Sequence, residues 1–151
     1  MSYTSIISVE DAKDYLGVDD SFHDDDIQRM IKASLQCIEK YTNYIFFDRS
    51  KDYLLMDGEV SVYDYPINSV VTPGSEDDYE SKEHPLHTVY TVSDTDLVKI
   101  TLNVGYSDAD DVPDDLIQVA FEKIDAMFNN TSKPLSMNCK MILDQNKRFL
   151  I

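Results

Sequence analysis

Three histidines, two cysteines and 29 acidic residues are the side chains from which this 151-residue chain would build a reactive site. His84-Pro85-Leu86-His87 sets two imidazoles at i and i+3. No cysteine or third histidine stands near them, whereas a zinc centre needs three or four protein ligands. His23 is isolated. Aspartates cluster at Asp19-Asp20, at 24–26 and within 108–115. An EF-hand loop requires glycine at position 6 and glutamate at position 12; counted from Asp108, those positions hold Pro113 and Val119. Two of the clusters precede apolar helical stripes, where carboxylates favour a helix N-terminus. Helix capping is therefore the favoured reading, and no metal or other cofactor is assigned. There is no Gly-x-Ser-x-Gly, and neither Cys37 nor Cys139 has a histidine near it in sequence. Gly17, Gly58, Gly74 and Gly105 stand at separate turns, and none builds a phosphate-cradling loop. No catalytic residue is assigned, and a metal-dependent enzyme is the reading least favoured.

Charge narrows the partners. The net charge of −16 opposes broad contact with a nucleic-acid backbone, which needs clustered lysine and arginine. It opposes an anionic membrane surface equally. It suits a basic protein partner, or a wall that DNA passes without sticking. No apolar run approaches the ~18 residues of a membrane span. The opening residues lack the basic and apolar regions of a secretory signal. Cys37 and Cys139 are accordingly expected as reduced, packed thiols and not as a disulfide.

The elements that would position these residues follow from periodicity. Ser8 reads as an N-cap, with Val9, Ala12, Tyr15 and Leu16 as an apolar face and Gly17 as the stop, giving a helix over 8–17. Ile27, Met30, Ile31, Ser34, Ile38, Tyr41 and Ile45 recur at helical spacing over 24–45, opposite Gln28, Arg29, Lys32, Gln36, Glu39 and Lys40. That helix, about 30 Å long, is the element the rest should cover. Tyr53 to Met56, Asp57-Gly58 and then Val60 and Val62 predict a hairpin. Pro66 marks 65–71 as an edge or crossover strand. The stretch 73–87 is acidic, bounded by prolines and expected to be mobile. Strands are predicted at 88–92 and 98–104, joined by a turn at 93–96. Pro113 opens a helix over 113–130, striped by Leu116, Ala120, Ile124, Met127 and Phe128. The expected fold is α+β: mainly a helical bundle, with a small antiparallel β region (52–106) inserted between the second and last long helices. Residues 1–134 form one core and 135–151 a tail.

Three stretches have a familiar order. The first is Ser8-Val9-Glu10-Asp11-Ala12-Lys13-Asp14-Tyr15-Leu16, an acidic spacer, and a long helix closing in Tyr41-Thr42-Asn43. The second is Tyr65-Pro66-Ile67-Asn68-Ser69-Val70. The third is Ile100-Thr101-Leu102-Asn103-Val104-Gly105-Tyr106, then Val112-Pro113-Asp114-Asp115-Leu116 and a helix ending Phe128-Asn129-Asn130. Together they resemble the head–tail connector (head-completion, or adaptor) proteins of tailed bacteriophages, over nearly the whole chain. The resemblance implies a non-enzymatic subunit of a homo-oligomeric ring beneath the portal protein. Such a ring extends the channel through which packaged DNA passes without tight binding, and carries the stopper or tail protein. It implies residence at the head–tail junction of a virion, after synthesis in the bacterial host cytoplasm. No catalytic or metal residue is carried over.

Two regions are then expected to meet partners. Met141, Ile142, Leu143, Lys147, Arg148, Phe149, Leu150 and Ile151 form an apolar tail with a basic pair, set off by Pro134 and suited to docking on the portal or a neighbouring copy. Glu76, Asp77, Asp78, Glu80 and Glu83 form a candidate channel-lining or inter-subunit loop. Two other readings remain open: an acidic DNA-mimic inhibitor, and a tail-completion protein of the same virion.

Overall fold

The computed structural model describes residues 1–148. Helix α1 spans Tyr3–Ile6, α2 Val9–Leu16, α3 Asp24–Thr42, α4 Asp114–Phe128 and α5 Met137–Gln145. Strand β1 spans Arg49–Leu54, β2 Glu59–Val62, β3 Ile67–Thr72, β4 Tyr79–Glu83, β5 Thr88–Val92 and β6 Lys99–Val104.

Helix α3 buries Ile27, Ile31, Ser34 and Ile38 of the anticipated stripe, adds Leu35, which the stripe lacked, and leaves Met30 half-buried, while Ile45 lies beyond the helix in the other core. Ile27, Ile31, Leu35 and Ile38 are fully buried, while Tyr41 remains 37% exposed. Each of the four contributes about 1.5–3 kcal/mol by leaving water. The helix stops at Thr42, short of the predicted residue 45. Asn43 turns left-handed there (φ 63°) and its N–H bonds the Glu39 carbonyl at 2.8 Å. The aspartates at its start act by charge, since no side-chain cap bond forms at His23. Asp24 pairs with the nearly buried Lys13 of α2 at 3.1 Å, and Asp26 with Arg29 at 3.2 Å. Helix α2 is capped as its sequence predicts: the Asp11 N–H donates to Ser8 Oγ at 3.0 Å, and Gly17 takes the left-handed stop.

Helix α5 revises the tail. Ser136 caps it by accepting the Cys139 N–H, and it packs against α3 and α4. Cys139 and Leu143 lie in the same core as Ile31, Leu35, Leu116 and Ile124. Leu143 is thus a core residue of this chain, because α5 must bury one face to persist at nine residues.

The β part is larger than an insertion in a bundle. Among the described residues helix, 3-10 turns included, accounts for 41% and strand for 24%, so the description as mainly helical does not hold. Two three-stranded antiparallel sheets, ordered β1-β6-β3 and β2-β5-β4, share a second core. Val62, Tyr90 and Val92 come from one sheet and Ile100, Leu102 and Val104 from the other. The hairpin expected around Asp57-Gly58 shrinks to a single Met56–Glu59 bridge, because β1 pairs with β6 and β2 with β5. The turn at 93–96 likewise carries the chain from one sheet to the other. Strand β3 is an edge, as Pro66 suggested. The acidic stretch is not the loop its composition predicts: Glu76–Asp78 form a 3-10 turn, and β4 pairs along the full length of β5. Tyr79 anchors it, 6.1 Å from the Tyr90 ring. Among the described residues no helix is long and apolar enough to cross a membrane.

Gly105 closes β6 at φ 112°, and a Cβ there would stand 2.2 Å from the Phe47 carbonyl oxygen. Gly105→Ala is expected to cost about 3 kcal/mol or more, combining left-handed strain with a backbone clash. Leu143→Ala should cost about 2–5 kcal/mol. Urea denaturation midpoints measure both, and an unchanged midpoint in either variant would refute the packing described for that residue.

Candidate functional site

The most concentrated polar chemistry lies where the two cores meet. Glu39, 6% exposed near the end of α3, accepts three hydrogen bonds. The Phe46 N–H donates at 2.8 Å, the Tyr3 hydroxyl at 2.8 Å and the Arg49 guanidinium at 2.9 Å. Arg49 also lies over the Phe47 ring, 4.9 Å from its centroid. Burial raises the Tyr3 phenol above its ordinary value; Arg49 opposes this and Glu39 adds to it. Nearby, buried Asp64 accepts from Lys51 and from the Tyr53 hydroxyl at 2.6 Å. Burial, then Asp64, pushes the Tyr53 phenol far up, so it stays a donor. A cleft of about 470 Å³ opens between the two clusters. Its buried carboxylates are each matched to a cation and a phenol, an arrangement that fastens layers together and is unlike a poised general base.

Beside this joint sits an aromatic cluster. Tyr44 and Tyr65 stand 5.4 Å apart, and Tyr106 lies 6.3 Å from Tyr65. Arg148 covers Tyr65 at 4.4 Å, donates from Nε to the Tyr63 carbonyl at 3.3 Å, and bonds Thr42 through its backbone. The partner of Arg148 is therefore its own chain, where one end of the tail is fastened. Burial is the main cause raising the Tyr106 phenol. His87 stacks on Tyr63, and His84 on His87 at 4.7 Å with rings 10° apart. Stacked faces do not converge nitrogens on one ion, and among the described residues no group of three or more metal-ligating side chains forms.

The remaining tail residues separate. Met141 is 52% exposed and Ile142 packs at the edge of the helical core. Lys147 lies over the Tyr41 ring at 5.0 Å. Phe149, Leu150 and Ile151 fall outside the described residues. The start of α5 is clamped by Glu122, which accepts from the Ser136 N–H and, at 2.8 Å, from its hydroxyl. Burial raises the Glu122 carboxyl, but bonds from Cys139 and Ser136 outweigh it and hold the group below its ordinary range. Glu76, Asp77, Asp78, Glu80 and Glu83 come together, exposed, along the β4 edge of the second sheet.

Three features escaped the sequence reading. Cys37 is exposed on α3, not packed. It borders a groove of about 370 Å³ between α3, α4 and α5, floored by Ile38, Leu135 and Leu143. Phe22, between α2 and α3, is 91% exposed. An aromatic inside an acidic connection was its visible signal.

No protein-family model matches the chain, and no curated protein does. Solved structures do. The fold is shared with a chain of the virion of a native gene transfer agent particle, at TM-score 0.77 and 14% identity, covering 100% of this chain and 93% of that one. A chain from the neck of the empty particle, computed with C6 symmetry, aligns at TM-score 0.73 and 14% identity over 99% and 92%. One from the neck of the native particle, computed with C12 symmetry, aligns at 0.71 and 13% over 99% and 92%.

Arg49→Met should destabilise the fold by about 1.5–3 kcal/mol, since it leaves the Glu39 carboxylate buried without its cation. Arg49→Met with Glu39→Gln should recover part of that loss in denaturant titrations; two additive losses would show the pair to be uncoupled. For Glu122 the folded pKa is depressed. Its contribution is complete above the unfolded value of about 4.3 and is lost as pH falls through the lower folded value. Glu122→Gln should therefore flatten the pH dependence of the melting temperature below about pH 4.3, and an unaltered profile would contradict the clamp.

Proposed function

We propose that this chain is a structural, non-enzymatic neck subunit of a phage-like virion. It assembles as a homo-oligomeric ring beneath the portal, extends the DNA channel and carries the stopper or tail protein. The single observation behind this reading is the fold likeness, over essentially the whole chain, to chains of the gene transfer agent virion and neck. The ordered motifs from Ser8 to Asn130 support it independently.

The physical chemistry agrees with such a role. A ring multiplies the −16 charge of each copy, and an acidic lumen repels phosphate so that DNA slides. The β4 edge with Glu76, Asp77, Asp78, Glu80 and Glu83 supplies a concentrated acidic surface for the channel or the next subunit. Residues beyond the Arg148 anchor, with Met141 and Lys147, supply the tail contact to the portal. The virion head–tail junction is the corresponding location.

Light scattering and electron microscopy of the full chain, alone and with its cognate portal, test this. Rings in at least one condition are expected, and a strict monomer in both would overturn the reading. A gel shift should show no duplex-DNA binding at micromolar concentration and physiological salt. Deleting 149–151 should leave the melting temperature unchanged and abolish assembly on the portal; assembly by the truncated chain would refute the tail contact.

A further inference from the structure

The strongest surface feature not absorbed by this account is a knob and a groove on opposite sides of α4. The knob is Phe22. Its N–H donates to Asp20 Oδ1 at 2.9 Å, which fixes the turn that displays the ring. Asp19 and Asp20, which precede it in the same turn, are exposed. The groove has the apolar floor of Ile38, Leu135 and Leu143, rimmed by Lys123 and Lys140. It continues past Lys123 and Leu135 into a second depression carrying Lys133. Its one acid in the first section, Asp144, is already bonded by the Tyr41 hydroxyl at 2.5 Å. Three lysines around one groove are a marked concentration in a chain with 13 basic residues against 29 acids.

We infer that the Phe22 turn of one copy seats in the Lys123/Lys140 groove of the next copy, making the repeating contact of the ring. This rests on the ring reading above and adds its residues. The occupant is a second copy because the two surfaces complement each other in shape and sign: an aromatic flanked by aspartates against an apolar floor flanked by lysines. A ring aromatic of this kind buries about 150–250 Å² when seated. The geometry is head-to-tail. Phe121 and Phe128 of α4 meet Tyr15 and His23 on the knob side. Lys123 and Ala126, two positions from them, line the groove side; two residues on a helix are turned by about 200°. Surfaces facing opposite ways cannot satisfy each other within one chain or in a closed pair, and such a contact propagates into a ring when its rotation closes.

The exposed thiol of Cys37 at the groove provides the test. Within one chain it lies about 20 Å along α3 from Asp24, far beyond the ~7 Å Cα limit for a disulfide. Full-length Phe22→Cys, oxidised, should therefore give a ladder beyond the dimer on a non-reducing gel. Peptide mass spectrometry should find residue 22 joined to residue 37. Adding Cys37→Ser should reduce the ladder to dimers joined 22 to 22. Separately, Lys123→Glu with Lys140→Glu should lower the assembled fraction at least tenfold, and Asp19→Lys in the same chain, which leaves the Asp20 bond to the Phe22 turn intact, should restore part of it. Wild-type rings with no 22–37 link, a ladder that survives Cys37→Ser, or residue 22 linked only to the portal would overturn this contact and leave the ring standing. A wild type monomeric with and without portal, and no ladder, would overturn both.

Discussion

The buried carboxylate of Glu39 decides how two cores become one molecule. An unpaired carboxylate there would cost several kcal/mol, and its three donors come from three different segments. Tyr3 brings the N-terminus, the Phe46 N–H brings the chain leaving α3, and Arg49 brings the start of β1. The bond to Phe46 fixes the direction of the chain at the crossing. Consecutive residues then divide: Ile45 enters the core between the sheets and Phe46 the core between the helices.

The surrounding backbone is knitted to match. The Ile45 N–H bonds the Tyr65 carbonyl, the Gly105 N–H that of Pro66, and the Tyr106 N–H that of Ile45. Three distant segments thus cross at one point, and Gly105 is the residue that lets them approach. Because Gly105 touches the Phe47 backbone, a side chain would force the sheet away from α3. The tyrosine cluster and Arg148 fill the space beside the crossing, so the base of the C-terminal tail is held by the same joint.

Charge is arranged differently inside and outside. Within the fold, buried charges meet their opposite: Glu39 with Arg49, Asp64 with Lys51, and the buried Lys13 with the partly exposed Asp24. Outside, aspartates and glutamates dominate, and the net −16 is a surface property. Copies so charged repel one another, so any assembly has to use places where apolar area is exposed or cations gather. The groove between α3, α4 and α5, with Phe22 on the far side of α4, meets that requirement. The β4 edge, lined with acids, discourages strand-to-strand aggregation.

The sequence by itself determined the long elements. The stripe from Ile27 to Ile38, the Ser8 cap, the Gly17 stop and the Pro113 start each follow from local chemistry, and the helices lie within a few residues of their predicted bounds. Short elements were not legible. Helix α1 has four residues, too few for a period, and α5 is held from across the fold, by Glu122 at its start and by the α3 and α4 core on which its own Cys139 and Leu143 pack. Strand pairing was not legible either: Asp57-Gly58 signals a turn, but only the second core decides that β1 joins β6 while β2 joins β5. The acids at 76–83 read as a loop because composition is blind to Tyr79 on Tyr90. Of the candidate site, the acidic edge and the tail were visible as composition. That Leu143 turns inward, that Arg148 is anchored on Tyr65, and that Phe22 and the lysine groove face opposite ways were decided by tertiary packing alone, because each depends on which segments lie side by side.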